Sequence, residues 1–107
     1  MDINFIDNEI KTNRIVVLYF SSKNCGVCKV IRPKLVEVLK KYPNLKYINI
    51  EEHNENISIL ANYSVFTFPA LLVFTEGSEG LRQARFIDLF EFEEYISRLY
   101  NILYKEK

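Results

Sequence analysis

The sequence predicts an α/β fold in which a mixed central β-sheet carries helices on both faces. Three observations predict it. Apolar runs of strand length alternate with amphipathic runs of helix length, in the order strand–helix–strand, helix, strand–strand–helix. The first strand is apolar throughout, as a strand covered on both faces must be. The span from 15 to 50 has the size of a βαβ unit, whose right-handed crossover leaves its two strands parallel.

Composition bounds the rest. The 107 residues suit one domain, 1–107, and 49% hydrophobic content is enough for one core. Three glycines and three prolines argue against a disordered or fibrous chain. Fourteen basic residues balance fourteen acidic ones, so no surplus field exists to hold a phosphate backbone, and nucleic acid is not the expected partner. The longest apolar stretch, Ile15 to Phe20, falls far short of the roughly 20 residues of a bilayer span. The acidic amino terminus (Asp2, Asp7, Glu9) has no apolar run of signal-peptide length. A cytoplasmic monomer without membrane attachment is expected.

The elements follow in order. Phe5, Ile6 and Ile10 recur at helical spacing and predict a short helix over 4–12. Ile15 to Phe20 is β-branched and aromatic and reads as a buried strand. From Gly26 to Tyr42, Cys28, Ile31, Leu35, Val38, Leu39 and Tyr42 keep the 3.6-residue period, with Pro33 expected to remove one backbone hydrogen bond and kink the helix. Leu45 to Ile50 is a second strand with Leu45, Tyr47 and Asn49 on one face, and Asn54 to Tyr63 a shorter helix. Ala70 to Phe74 is a third strand. Residues 76–80 form a turn, and Leu81 to Ile87 returns as a strand whose Arg82 and Arg85 guard a sheet edge. Asp88 to Glu91 has the capping-box pattern and opens a last helix with Phe92, Ile96, Leu99 and Leu103 inward and Tyr100 and Tyr104 exposed.

The segment that carries chemistry is Ser22-Lys23-Asn24-Cys25-Gly26-Val27-Cys28-Lys29, between the buried strand and the long helix. A sulfur at a helix amino terminus faces unpaired N–H groups and the positive end of the helix dipole. Both favour thiolate over thiol, and such surroundings lower a cysteine pKa from about 8.5 into the range of roughly 3.5–7.5. Cys25 holds that position; Cys28 lies one turn deeper on the same side. Side chains three apart on a helix have Cβ atoms roughly 5–6 Å apart, and a disulfide wants about 3.5–4.5 Å, so the bond closes with modest distortion. As a staple it is poor. Loop-closure entropy for about four residues is worth roughly 2 kcal/mol, against about 3 for fifteen. A redox centre is the better use. Asn24, a strong helix capper, is expected to compete with the sulfur for the first-turn N–H groups.

Here the chain resembles the thioredoxin superfamily, from the strand at 15 to the helix ending near 104. Cys25-Gly26-Val27-Cys28-Lys29 is similar to the family's Cys-Gly-Pro-Cys-Lys, Pro33 to its kink proline, Phe68-Pro69 to its X-cis-Pro loop, and Asn49-Ile50-Glu51 to its Asn-Ile-Asp. The resemblance implies a thioredoxin-like fold and a protein-disulfide reductase with Cys25 as nucleophile and Cys28 as resolving thiol. It implies substrate contacts at Gly26, Val27, Phe68 and Pro69, no bound cofactor, and an upstream thiol reductant such as a thioredoxin reductase. The chain also departs from the family. Asn24 stands where a tryptophan is usual, Val27 where a proline is, Tyr19 where a buried aspartate is, and Tyr47 where that acid's lysine neighbour is.

Other classes stay open. A thioredoxin-fold adaptor with slow or incidental redox activity would also tolerate Tyr19 and Asn24. A thiol-based metal carrier has less support, since structural zinc wants four ligands and His53, in a polar loop, is the only histidine.

Overall fold

The computed structural model describes residues 1–104. The chain runs α1 (Ile3–Thr12), β1 (Ile15–Ser21), α2 (Gly26–Leu39), β2 (Lys46–Glu51), a 3₁₀ turn (Asn54–Asn56), α3 (Ile57–Asn62), β3 (Ala70–Thr75), β4 (Ser78–Ala84) and α4 (Leu89–Tyr104). The strands order β2-β1-β3-β4. β1 pairs parallel with β2 and antiparallel with β3, and β3 pairs antiparallel with β4. The predicted mixed sheet and βαβ unit are both present.

β1 positions everything else. Its six residues from Ile15 to Phe20 are all 0% exposed, and full burial of a large aliphatic or aromatic side chain contributes about 1.5–3 kcal/mol. The pleat divides them by parity. Val16, Leu18 and Phe20 join Ile6 and Ile10 of α1 and Ile59 of α3 on one face. Ile15, Val17 and Tyr19 join Leu35 of α2 and Phe92 and Ile96 of α4 on the other. A strand pinned on both sides gives the loop after it a rigid base.

Several boundaries differ from the sequence reading, each for a local reason. α2 ends at Leu39 because Lys41 and Tyr42 donate to carbonyls only three residues back, Val38 and Leu39, tightening the chain before Pro43. β2 starts at Lys46, one residue later than expected. The helix expected over 54–63 is split: His53, exposed as expected, accepts from the Glu55 N–H and caps a 3₁₀ turn before α3 begins. The hairpin turn is shorter than 76–80. Glu76 and Gly77 both take positive φ, 51° and 86°, the pattern of a two-residue type I′ turn. β4 therefore starts at Ser78, and Gly80 falls between the Phe74–Glu79 and Val73–Leu81 pairs as the extra residue of a bulge.

At its far end β4 stops at Ala84, so Arg85 is not a strand residue. Arg82 does sit on the edge strand, pairing with Glu79 at 2.7 Å and donating to the carbonyls of Tyr63 and Ser64. Only half of the predicted capping box forms directly. Asp88 accepts from the Glu91 N–H, while Gln83 joins the other two groups, accepting from the Asp88 N–H and donating to the Glu91 carboxylate. Tyr100 and Tyr104 are half-buried rather than exposed, packed against each other and, for Tyr100, edge-on against Tyr42 at 5.1 Å. No helix of the described residues is long and apolar enough to cross a membrane.

Candidate active site

The loop after β1 turns at once, the Cys25 N–H donating to the Ser22 carbonyl at 3.1 Å. Cys25 then takes an extended conformation and serves as the N-cap of α2, its Sγ accepting from the Cys28 N–H at 3.1 Å. Asn24, expected to compete for this role, is exposed and does not cap. The sulfur itself satisfies a first-turn donor that would otherwise be orphaned.

Cys25 and Cys28 are joined as a disulfide with Cα atoms 5.3 Å apart, inside the usual range of roughly 4.4–6.8 Å. The two cysteines are not equivalent. Cys28 is 2% exposed, whereas Cys25 is half-buried and opens onto a groove of about 650 Å³. The groove contains Gly26, Val27, Phe68 and Pro69, all four residues expected to meet substrate. The Phe68–Pro69 bond is cis, as expected. Phe68 lies outside the strands, and among the described residues its backbone N–H and C=O make no backbone hydrogen bond.

The groove also holds residues the sequence reading left out, Ile31 on α2 and Arg85, Phe86 and Ile87 after β4. The sequence predicts a strand for the last three, which instead follow the end of β4 at Ala84. A usable signal was present: adjacent apolar Phe86 and Ile87 break the alternation a half-exposed edge strand requires.

Beneath the disulfide lies Tyr19, 0% exposed, its hydroxyl donating to the Cys28 carbonyl at 2.9 Å. Its proton is thus committed to the backbone of α2 rather than to the Cys28 sulfur. Burial, with the neighbouring Tyr47 adding and Arg32 opposing, pushes the Tyr19 pKa up to about 12. The Tyr47 hydroxyl is enclosed, with Arg32 near but outside hydrogen-bond geometry, and burial raises its pKa too. Two neutral phenols occupy the ground where the family keeps an acid and a lysine.

Cys28 faces a second, smaller cleft of about 310 Å³, lined by Lys23, Lys29, Arg32 and Glu51 among others. Among the described residues no group of three or more His, Cys, Asp or Glu is placed to hold a metal ion. Pro33 leaves the Lys29 carbonyl without its helical donor, yet α2 runs unbroken through it.

A disulfide spanning a single helical turn contributes little to stability, and this one stands at the rim of an open groove. Its use is chemical, and the class is that of thiol–disulfide oxidoreductases. The thioredoxin family model matches residues 2–97. The chain is 37% identical over 99 residues to the thioredoxin-like protein YdfQ of Bacillus subtilis (strain 168), covering 91% of this chain and 86% of that one. Among solved structures it is similar to a thioredoxin-like protein of Bacillus cereus ATCC 10987, at 31% identity and TM-score 0.69, covering 92% and 99% of the two chains. Mitochondrial thioredoxin 3 of Saccharomyces cerevisiae superposes at TM-score 0.77 with 22% identity, covering 90% and 89%, a likeness of fold. The chain belongs to the thioredoxin family.

Proposed function

We propose that the protein reduces disulfides in protein substrates, with Cys25 as nucleophile and Cys28 as resolving thiol. What supports this is the asymmetry of the two sulfurs: Cys25 stands at the groove and accepts a helix N–H, while Cys28 is 2% exposed behind it. In the reduced protein the Cys25 thiolate attacks one sulfur of a substrate disulfide. A mixed disulfide forms and the second substrate sulfur leaves as a thiolate. Cys28, having lost its proton, attacks the Cys25 Sγ. The Cys25–Cys28 disulfide forms and the first substrate sulfur leaves as a thiolate, so two electrons and no other atoms pass to substrate. An external dithiol reductant, of the kind a thioredoxin reductase supplies, returns the two electrons.

The substrate chain lies along the groove over Val27 and pairs with the free backbone groups of Phe68 as an added strand. Gly26 leaves the approach open, since a Cβ there would meet nothing within 4 Å. The protein acts as a monomer in a compartment that keeps dithiols reduced, the cytoplasm. Insulin reduction with a recycling reductant tests the function. Sustained turnover is expected. A folded, inactive protein would instead leave the fold serving as an adaptor.

A further inference from the structure

We propose that Arg85 selects among disulfide substrates, favouring those with an acidic side chain beside the reactive cysteine. The proposal rests on the disulfide-reductase function above. Arg85 is the single charged residue among the described residues that line the Cys25 groove. The rest of the wall is apolar or uncharged, so one guanidinium sets the sign of the site.

The backbone holds Arg85 there against its own preference. Its φ is 73°, a left-handed conformation that glycine takes freely and a long side chain rarely does. The conformation is secured by a 2.7 Å bond from the Arg85 N–H to the carbonyl of Pro69, its neighbour in the groove wall just past the β3–β4 ladder. Ser64 and Glu76 also take positive φ, but of these three non-glycine residues Arg85 alone lines the groove, where a strained backbone positions a side chain for use. That side chain lies over the Phe86 ring, 5.8 Å from its centroid, and Phe86 is 81% exposed. The two together form an outward ledge, apolar below and cationic above.

The charge is also unspent. Arg82, three residues earlier, is held by the Glu79 carboxylate through two hydrogen bonds. Arg85 has no carboxylate within 4.0 Å among the described residues, and neither do Lys23 and Lys29 on the other side of the disulfide. A free guanidinium presents the fork that a carboxylate fits. A substrate with Glu or Asp beside its cysteine gains a partner at this lip. One with Lys or Arg meets a like charge in a narrow apolar groove, and that repulsion supplies half of the discrimination. Because the chain as a whole is neutral, the preference is local and is screened within about 10 Å at 0.1 M salt.

The test uses three disulfide peptides that differ only in carrying Glu, Gln or Lys next to the cysteine. Each is reduced by the full chain with a recycling reductant, and kcat/KM is compared at low and high salt. The Glu peptide is expected to exceed the Lys peptide by about three- to tenfold at low salt, one exposed ion pair gained against one like-charge contact. Half-molar salt should narrow the ratio. R85G, whose backbone accepts this φ without strain, should bring the ratio close to one, and R85E should invert it. A Glu-to-Lys ratio of one in the native protein, or one unchanged in R85G and R85E, overturns the proposal. The absolute rate on the Gln peptide reports on the reductase function and the ratio on Arg85, so the two fail separately.

Discussion

On one side of the Cys25–Cys28 disulfide lies a groove of about 650 Å³ walled by Val27, Ile31, Phe68 and Pro69. On the other lies a cleft of about 310 Å³ walled by Lys23, Lys29, Arg32 and Glu51. The sulfurs belong to one bond, yet one opens onto apolar surface and the other onto polar surface. The groove suits a peptide chain, which exchanges water for apolar contact. The cleft suits water and protons, which Cys28 would exchange at each turn of the proposed cycle. The proposed division of the chemistry between the two cysteines thus follows from which wall of α2 each one meets.

The largest effect expected from that division is between two single substitutions. Cys25→Ser should abolish turnover, while Cys28→Ser should stall after one step and accumulate a mixed disulfide visible by mass spectrometry. In the reduced native protein Cys25 should alkylate well before Cys28; equal rates would break the comparison at its root.

Next in size is the pH dependence of the second step. Tyr19, with its pKa pushed up to about 12, stays protonated and cannot take the Cys28 proton near neutrality. General-base help of the kind a carboxylate gives is worth about 10²–10⁴-fold. Release of substrate from the mixed disulfide should therefore accelerate by about tenfold per pH unit until the thiol itself ionises. Stopped-flow rates that stay flat from pH 6 to 9 would show that another group, Glu51 of the same cleft first among them, takes the proton.

Stability changes at Tyr19 come third. Tyr19→Ala should cost about 3–5 kcal/mol, the range for emptying a buried aromatic site. Tyr19→Phe loses only the bond to the Cys28 carbonyl, about 0.5–1.5 kcal/mol at neutral pH. The folded chain keeps the Tyr19 proton at pH values where the unfolded chain, with an ordinary value of about 10, has given it up. Its contribution is complete below pH 10 and is lost as pH rises through about 12. Urea midpoints of the oxidised proteins should thus converge as pH climbs through that window, and parallel curves would remove Tyr19 as the cause.

The smallest effect concerns Asn24. Because Cys25 is itself the cap and Asn24 is exposed, Asn24→Ala should change stability by no more than about 0.5 kcal/mol and leave the Cys25 thiolate titration in place. A shift in that titration, followed by ultraviolet absorbance, would restore the competition between amide and sulfur.

Much of this was legible in the residues. Ile15 to Phe20 announces a strand buried on both faces because no polar position interrupts it, and Cys25, Cys28, Pro33 and Pro69 carry their spacing on the surface of the sequence. What was not legible depends on backbone sign or on partners distant in the chain. Gly80 reads as a turn residue but is a bulge, because the type I′ turn at Glu76 and Gly77 lets the strand begin three residues sooner. Tyr100 looks like an exposed helix position until Tyr42, on a different helix's exit, covers it. Arg85 reads as an edge-strand guard because nothing local reports a positive φ. The bond from its N–H to the Pro69 carbonyl spans sixteen positions of sequence. Asn24 has the better composition for a cap, yet the turn set by the Ser22 carbonyl puts the next residue in the capping position.

The bond from the Cys28 N–H to the Cys25 sulfur has a kinetic side as well. A donor that steadies Cys25 as a thiolate also makes it a good leaving group. Every mixed disulfide is then a branch point: the substrate thiol can return to its old partner and expel Cys25, or Cys28 can complete the transfer. With Tyr19 rather than a carboxylate bonded beneath Cys28, the proposed mechanism slows the forward branch relative to release. Under that mechanism a substrate would be reduced only if the groove held it long enough for Cys28 to act. On the proposed mechanism residence time becomes the filter, and a weak second step would give selectivity that a faster one would surrender.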